Sequence, residues 1–296
     1  MDKSRILFLV PLPPPVHGSA MVSQAIRNST RINRSFQTDY VNLTTSRKMN
    51  EIGKHCVKKI FRFFGAFSKM MYKLLFHRWD ACYLAITCHG IGFLKDVPFV
   101  ALCKWFSPKV ILHLHNKGLS KEVYRWPYRW LMPWIFRHTE VILLSERLYS
   151  DVASVVRPEQ VHICPNGLSS PVDIKEVSQS SVPHLLFLSN LIESKGVYVL
   201  LDACQILKDK GYSFICDFVG GETKEITRRH LEEEISQRGL EEYVVYHGPQ
   251  YGEAKELFFQ KADFFVQPTF EDCFPLTLVE AMQHGLPVVS TEEGAI

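Results

Sequence analysis

Short β-rich runs alternate with helix-length amphipathic stretches along this 296-residue chain. That rhythm predicts βαβ units and parallel sheets. In the first half the strand-like runs are RILFLV, TDYVNL, ACYLAI, KVILHLH, EVILLS and VHICP, with helices beginning near Ser19, Cys56, Gly92, Lys121 and Glu146. The stretch GLSSPVDIKEVSQSSVP then breaks the pattern, so a linker is expected over 168–183. The alternation restarts with HLLFLS, FICDFVGG, YVVYHG, DFFVQP and PVVST. Helices are expected over Val197–Lys210, through EITRRHLEEEISQRG, near 252–260 and through LTLVEAMQHG. The expected class is α/β: two Rossmann-like domains facing across a cleft, 1–167 and 184–296. A chain length beyond what one core usually organises favours the same division.

With 46% apolar and 22% charged residues the composition is that of an ordinary globular chain. A net charge of +3 is too small for a sequence-independent grip on a phosphodiester backbone, so no nucleic-acid partner is expected. The eight cysteines form no C-x-x-C pair and several sit in apolar runs, as reduced buried thiols do. No stretch is long and apolar enough to span a bilayer. These features predict a cytoplasmic protein.

Four stretches carry candidate chemistry. In LVPLPPPVHGSAMVSQAI a strand runs through a Pro-rich turn into a helix opened by Gly18, whose free N–H groups suit a diphosphate; the plainer alternative is a βα turn that needs glycine. SNLIESKGVYVLL places Asn190 and Lys195 between the first strand of the second domain and its helix. Ligands of α/β folds collect at such carboxyl ends, although a solvated turn lysine is an equal alternative. In KVILHLHNKG, His113 and His115 share one strand face. They read as core or cleft histidines before they read as a metal pair, because no acid or cysteine is near in sequence.

The fourth is EDCFPLTLVEAMQHGLPVVS, where Asp272 and Glu280 stand eight apart with no acid between them. Pro275 suits the first turn of a helix ending at Gly285, which puts Asp272 in the preceding loop and Glu280 one to two turns along. Carboxylates flanking an anion-binding helix start, with amides from Phe274 to Thr277 on phosphate, suit a nucleotide sugar. A helix-start Asp and a surface Glu are the alternative. No two aspartates stand two apart, so a metal-chelating D-x-D is missing, and charge on a leaving diphosphate would fall to Lys195 and helix dipoles.

In order, PPPVHGS, LHLHNKG, LLSERL, VHICPNGL, LFLSNLIESKGVYVLLDA, FVGG, YHGP, ADFFVQPT and EDCFPLTLVEAMQHGLPVVST make the chain resemble glycosyltransferase family 4, retaining enzymes of GT-B fold. The resemblance implies that Glu280 binds the nucleotide ribose and that Asp272, with the amides of Cys273 and Phe274, faces the transferred sugar. Lys195 would hold the diphosphate, Gly18 would close on it, and His115 would lie near the reacting sugar. It implies a nucleotide diphosphate sugar as donor, a glycan or lipid-linked acceptor, and neither cofactor nor metal. Two departures stand out: Asp272 occupies a position where Glu is usual, and Asn190 one where many members carry Arg. A domain like theirs would also continue beyond TEEGAI by about two strand/helix units of about 30 residues each, so a truncated C-terminal domain is expected. Rival readings are an inactive or fragmentary nucleotide-sugar-binding protein and a nucleotide-sugar epimerase.

Finally, residues 54–79 hold seven Lys or Arg and no acid, with Val57, Ile60, Phe61, Phe64, Phe67, Met71, Leu74 and Leu75 near helical spacing. A basic amphipathic helix of this kind reads as peripheral on an anionic inner membrane face, and otherwise as a core-packing helix.

Overall fold

The computed structural model describes residues 3–46, 57–168 and 182–296, in two compact units that divide at Asn166/Gly167. The expected linker lies almost wholly outside the described residues, as do residues 54–56 of the basic segment.

The first unit is a six-stranded parallel sheet: β1 (Arg5–Val10), β2 (Gln37–Asn42), β3 (Ala81–Ile86), β4 (Val110–Leu114), β5 (Glu140–Leu143) and β6 (Val161–Ile163), in the order β2-β1-β3-β4-β5-β6. After Arg5 the run RILFLV is apolar at every position because both faces of the strand are covered. Phe8 and Val10 pack with Ile26 of α1 (Gly18–Asn28) and Ile32 of α2 (Thr30–Ser35). Leu7 and Leu9 belong to the larger core under α3 (Val57–Phe76), α4 (Gly90–Phe106) and α6 (Tyr128–Phe136), with α5 (Leu119–Glu122) and α7 (Tyr149–Val152) in the adjoining loops.

Two helices escape the sequence reading. α2 is a single short helix without an apolar stripe, started by Ser29 Oγ accepting from the Ile32 N–H. α6 holds Pro133, which reads as a helix breaker because it removes a donor, yet Met132, Ile135 and Phe136 are fully buried and hold the turn in place. Near Glu146 a 3-10 turn leads into the one-turn α7. α3 sorts its apolar residues differently from the expected single stripe. Phe63, Ala66, Phe67, Met70 and Leu74 face the core, while Val57, Ile60, Phe61, Phe64 and Leu75 are exposed.

The second unit is a five-stranded parallel sheet of β7 (His184–Leu188), β8 (Ile215–Val219), β9 (Val244–Gly248), β10 (Phe264–Gln267) and β11 (Val288–Ser290), ordered β11-β10-β7-β8-β9. α8 (Val197–Asp209) and α9 (Arg228–Gln237) cover one face; α10 (Glu253–Lys261) and α11 (Leu276–Gln283) cover the other. Each of β7 to β10 is followed by a helix, so the side chains of the carboxyl-edge loops gather at one end of the sheet.

Candidate functional site

β7 and β10 are neighbours in the second sheet, and their following loops interlock. Gly196 starts α8 at φ +83, and a Cβ there would lie 2.0 Å from the Pro268 carbonyl oxygen, so only glycine lets the two loops touch. The Phe270 N–H donates to the Ser194 carbonyl at 2.7 Å, and Thr269 Oγ1 donates to the same oxygen at 3.2 Å. Lys195 is thereby held against the second loop. Its Nζ donates to Asp272 Oδ2 and to the Glu271 carbonyl, each at 2.7 Å.

Asp272 is further fixed by the Cys273 N–H, which donates to Oδ1 at 2.8 Å. The amide that the resemblance assigns to the sugar is therefore engaged by the neighbouring carboxylate. Gln267 organises the rest: its Nε2 donates to Asp272 Oδ2 at 3.4 Å, its Oε1 accepts from Thr277 Oγ1 at 3.1 Å, and its carbonyl accepts from Ser290 Oγ at 2.8 Å. This buried amide was missed from sequence, although a Gln closing the apolar run DFFVQ was a signal. Pro275 occupies the cap position and Leu276 the first turn of α11, with Phe274 half-buried just ahead.

Glu280 lies on α11 with a lysine of its own. Lys255 of α10 donates from Nζ to Glu280 Oε1 at 2.7 Å, a partner that sequence reading did not find. The two carboxylates are thus two separate ion pairs, not one acidic couple. Asn190 acts on the backbone instead: its Oδ1 accepts the Gly221 N–H at 3.3 Å. Gly220, at φ +158, would put a Cβ 1.7 Å from the Ser189 carbonyl oxygen, so the loops after β7 and β8 also touch.

In the first unit β4 stops at Leu114, leaving His115 one residue beyond the strand. The Asn116 side chain accepts from the Cys88 N–H at 2.9 Å, and Asp151 gathers the Gly118, Leu119 and Ser120 amides at 2.8–3.1 Å, so this loop is held from two sides. The rings of His113 and His115 lie 4.0 Å apart, and His113 Nδ1 is bonded to the Tyr83 hydroxyl. Among the described residues neither ring nitrogen of His115 has a hydrogen-bond partner, and His113 Nε2 has none either. Burial, and then the neighbouring His17, push the His115 pKa down to about 4. Burial lowers His113 and His17 as well, so all three imidazoles are neutral near pH 7. Gly18 is the first residue of α1; the residue that caps it is His17, whose Nδ1 meets the Ala20 N–H at 3.4 Å and Ser19 Oγ at 3.1 Å. Among the described residues no group of three or more His, Cys, Asp or Glu is arranged to hold a metal.

Residues 182–296 match the family described as glycosyl transferases group 1. The match covers the second unit alone. The amylovoran biosynthesis glycosyltransferase AmsK of Erwinia amylovora is 27% identical over 203 residues, 65% of this chain and 49% of that protein, so the chain spans about half its length. Among solved structures, sucrose-phosphate synthase from Thermosynechococcus elongatus matches with a TM-score of 0.72 at 16% identity, over 99% of this chain and 82% of that one. The Anabaena protein HepE, in complex with UDP and glucose, matches with a TM-score of 0.66 at 18% identity, over 99% and 82%. At these identities the likeness shows the fold: α/β, with two Rossmann-like sheets of the GT-B kind. The family match over the second unit and the AmsK relative both carry a glycosyltransferase description.

Proposed function

We propose that this chain is a retaining glycosyltransferase that moves a hexosyl group from a nucleotide diphosphate sugar to a glycan or lipid-linked acceptor in surface polysaccharide biosynthesis. The observation that carries the reading is Lys195, an ammonium tethered by Asp272 where the β7 and β10 loops meet and α8 begins. A diphosphate there meets the ammonium and the positive end of α8 together. The setting of AmsK supports the polysaccharide assignment, and the UDP and glucose bound by HepE support the donor class.

In this reading Glu280 accepts from ribose hydroxyls, and Asp272 accepts from hydroxyls of the transferred sugar. In the first unit the neutral His115 has no hydrogen-bond partner among the described residues, and an unpaired buried polar group of this kind calls for a ligand. The bond from the anomeric carbon to the phosphate oxygen breaks, and the acceptor oxygen bonds to that carbon on the same face. The acceptor proton passes to the departing phosphate, whose charge Lys195 and the α8 and α11 N-termini stabilise. No protein nucleophile and no metal takes part.

The test is calorimetric titration of the chain with UDP, GDP, ADP and their sugar conjugates, followed by an assay for nucleoside diphosphate release with the best binder. Saturable binding of one nucleotide, weakened in Lys195→Ala, is expected. Binding of none of them would sink the reading.

A further inference from the structure

Four of the five tryptophans are exposed, and all four belong to one side of the first unit. Trp105, 85% exposed, stands in the last turn of α4. Trp130 and Trp134 stand four apart on α6 and make one outward row, and the exposed Trp126 lies just ahead of its capping Pro127. α4 packs against both α3 and α6, and the three share the core on one face of the sheet. Their outer sides therefore form one layer, continued by the exposed row of Val57, Ile60, Phe61 and Phe64 on α3.

The charge on that layer has one sign. α3, α4 and α6 carry eight Lys or Arg and one acid, Asp96, which is buried. Cations sit at ring level: the Arg129 guanidinium lies 5.2 Å from the Trp130 centroid, and Lys104 Nζ lies 5.0 Å from that of Trp134. Indole rings with cations beside them match the headgroup zone of a bilayer, where the apolar ring body and the polar N–H are both accommodated. A glycan platform would need carboxylates or amides among the rings for sugar hydroxyls, and from Tyr124 to Arg137 there is no Asp, Glu, Asn or Gln.

We propose that the outer side of the α3–α4–α6 layer docks on an anionic phospholipid surface, with Trp105, Trp126, Trp130 and Trp134 as its interfacial anchors. The proposal extends the interfacial expectation for α3 to a second, aromatic site and does not depend on the nucleotide-sugar reading. The site gives a lipid-linked substrate a reason to be within reach of a chain in which no described helix is long and apolar enough to cross a membrane.

The experiment is co-sedimentation of the 296-residue chain with vesicles of phosphatidylglycerol and phosphatidylcholine in equal parts, or of phosphatidylcholine alone, while tryptophan emission is followed. Binding to the anionic vesicles at low salt, with a blue shift of the exposed tryptophans and loss at high salt, is expected. Arg125→Glu/Arg129→Glu should raise the lipid concentration for half-binding at least tenfold, since each cation near an anionic leaflet is worth about fivefold. Trp130→Ala/Trp134→Ala should weaken binding and reduce the shift at an unchanged melting temperature. Lys58→Ala/Lys69→Ala separates the two helices. If that variant loses binding while both α6 variants bind as wild type, the aromatic anchor is refuted and α3 alone remains. Absence of binding, equal binding to neutral vesicles, or a blue shift produced by soluble polysaccharide or by self-association would overturn the proposal.

Discussion

Lys195 and Asp272 stand 77 residues apart in sequence and meet at 2.7 Å, Nζ to Oδ2. Both side chains are largely shielded from solvent, so the pair competes directly with any diphosphate that reaches for the ammonium. We predict opposite signs for the two single variants. Lys195→Ala should weaken nucleoside diphosphate binding and slow transfer about 10²–10³-fold. Asp272→Asn should release Lys195 and tighten binding of the nucleoside diphosphate while weakening the sugar conjugate. Titration of both variants with both ligands checks this, and losses of equal size in all four cases would show that the pair only holds the loops.

Glu280 is held by Lys255 at 2.7 Å, which orients its free oxygen without removing it. Glu280→Gln preserves size and turns an acceptor-only carboxylate into an amide, so the donor KM should rise severalfold with kcat little changed. Lys255→Met should reproduce part of that rise by letting the carboxylate swing. Donor kinetics of the two variants decide it; unchanged KM in both would make the pair a surface ion pair between α10 and α11.

His115 gives the first unit a pH dependence of known sign. Its folded pKa of about 4 lies below the ordinary 6.5, so between those values the unfolded chain binds the proton that the folded chain refuses. Stability is therefore full above about pH 6.5 and is lost as pH falls toward 4. Thermal melts from pH 7 to pH 5 should show a steeper decline for wild type than for His115→Leu. Parallel curves would contradict the burial of a neutral imidazole.

Gly196→Ala and Gly211→Ala separate backbone strain from collision. Both positions have positive φ, +83 and +78, but a Cβ at 196 meets the Pro268 carbonyl while one at 211 meets nothing within 4 Å. The second substitution should cost about 1 kcal/mol from strain alone, and the first should cost clearly more and also impair nucleotide binding. Urea unfolding of both proteins is the measurement, and equal losses would mean that the β7 and β10 loops are not interlocked.

Because the chain has no D-x-D, nucleoside diphosphate release should persist in a chelator at the rate seen with Mg²⁺ or Mn²⁺. A strict requirement for either ion would count against Lys195 as the group that meets the leaving charge.

The alternation of apolar runs was enough to read nearly every strand, because a parallel strand buried on both faces is apolar at consecutive positions, as Ile6 to Val10 are. Helices held by tertiary contact were harder. Nothing local marks α6, since Pro133 speaks against a helix and only its buried neighbours keep it. At the site, motif order found Lys195, Asp272 and Glu280 as residues but not as partners: Lys195 to Asp272 spans two loops, and Lys255 reaches Glu280 from another helix. Gln267 shows in sequence only as a polar end to an apolar run, since its importance lies in the three groups it joins. On α3 the spacing found amphipathicity but not the division of its apolar residues between two opposite sides.

The strand order β11-β10-β7-β8-β9 has a consequence for how such a site can change. The chain runs outward from β7 through β8 to β9, then crosses back to lay β10 on the other side of β7. Loops that leave two adjacent strands in opposite directions part from each other and open a crevice between them, whatever side chains they carry. Lys195 and Asp272 stand on its two banks. Connectivity supplies the opening and the glycine at 196 keeps the banks close, so exposed loop residues can be exchanged for new donor preferences while the sheet below keeps its register.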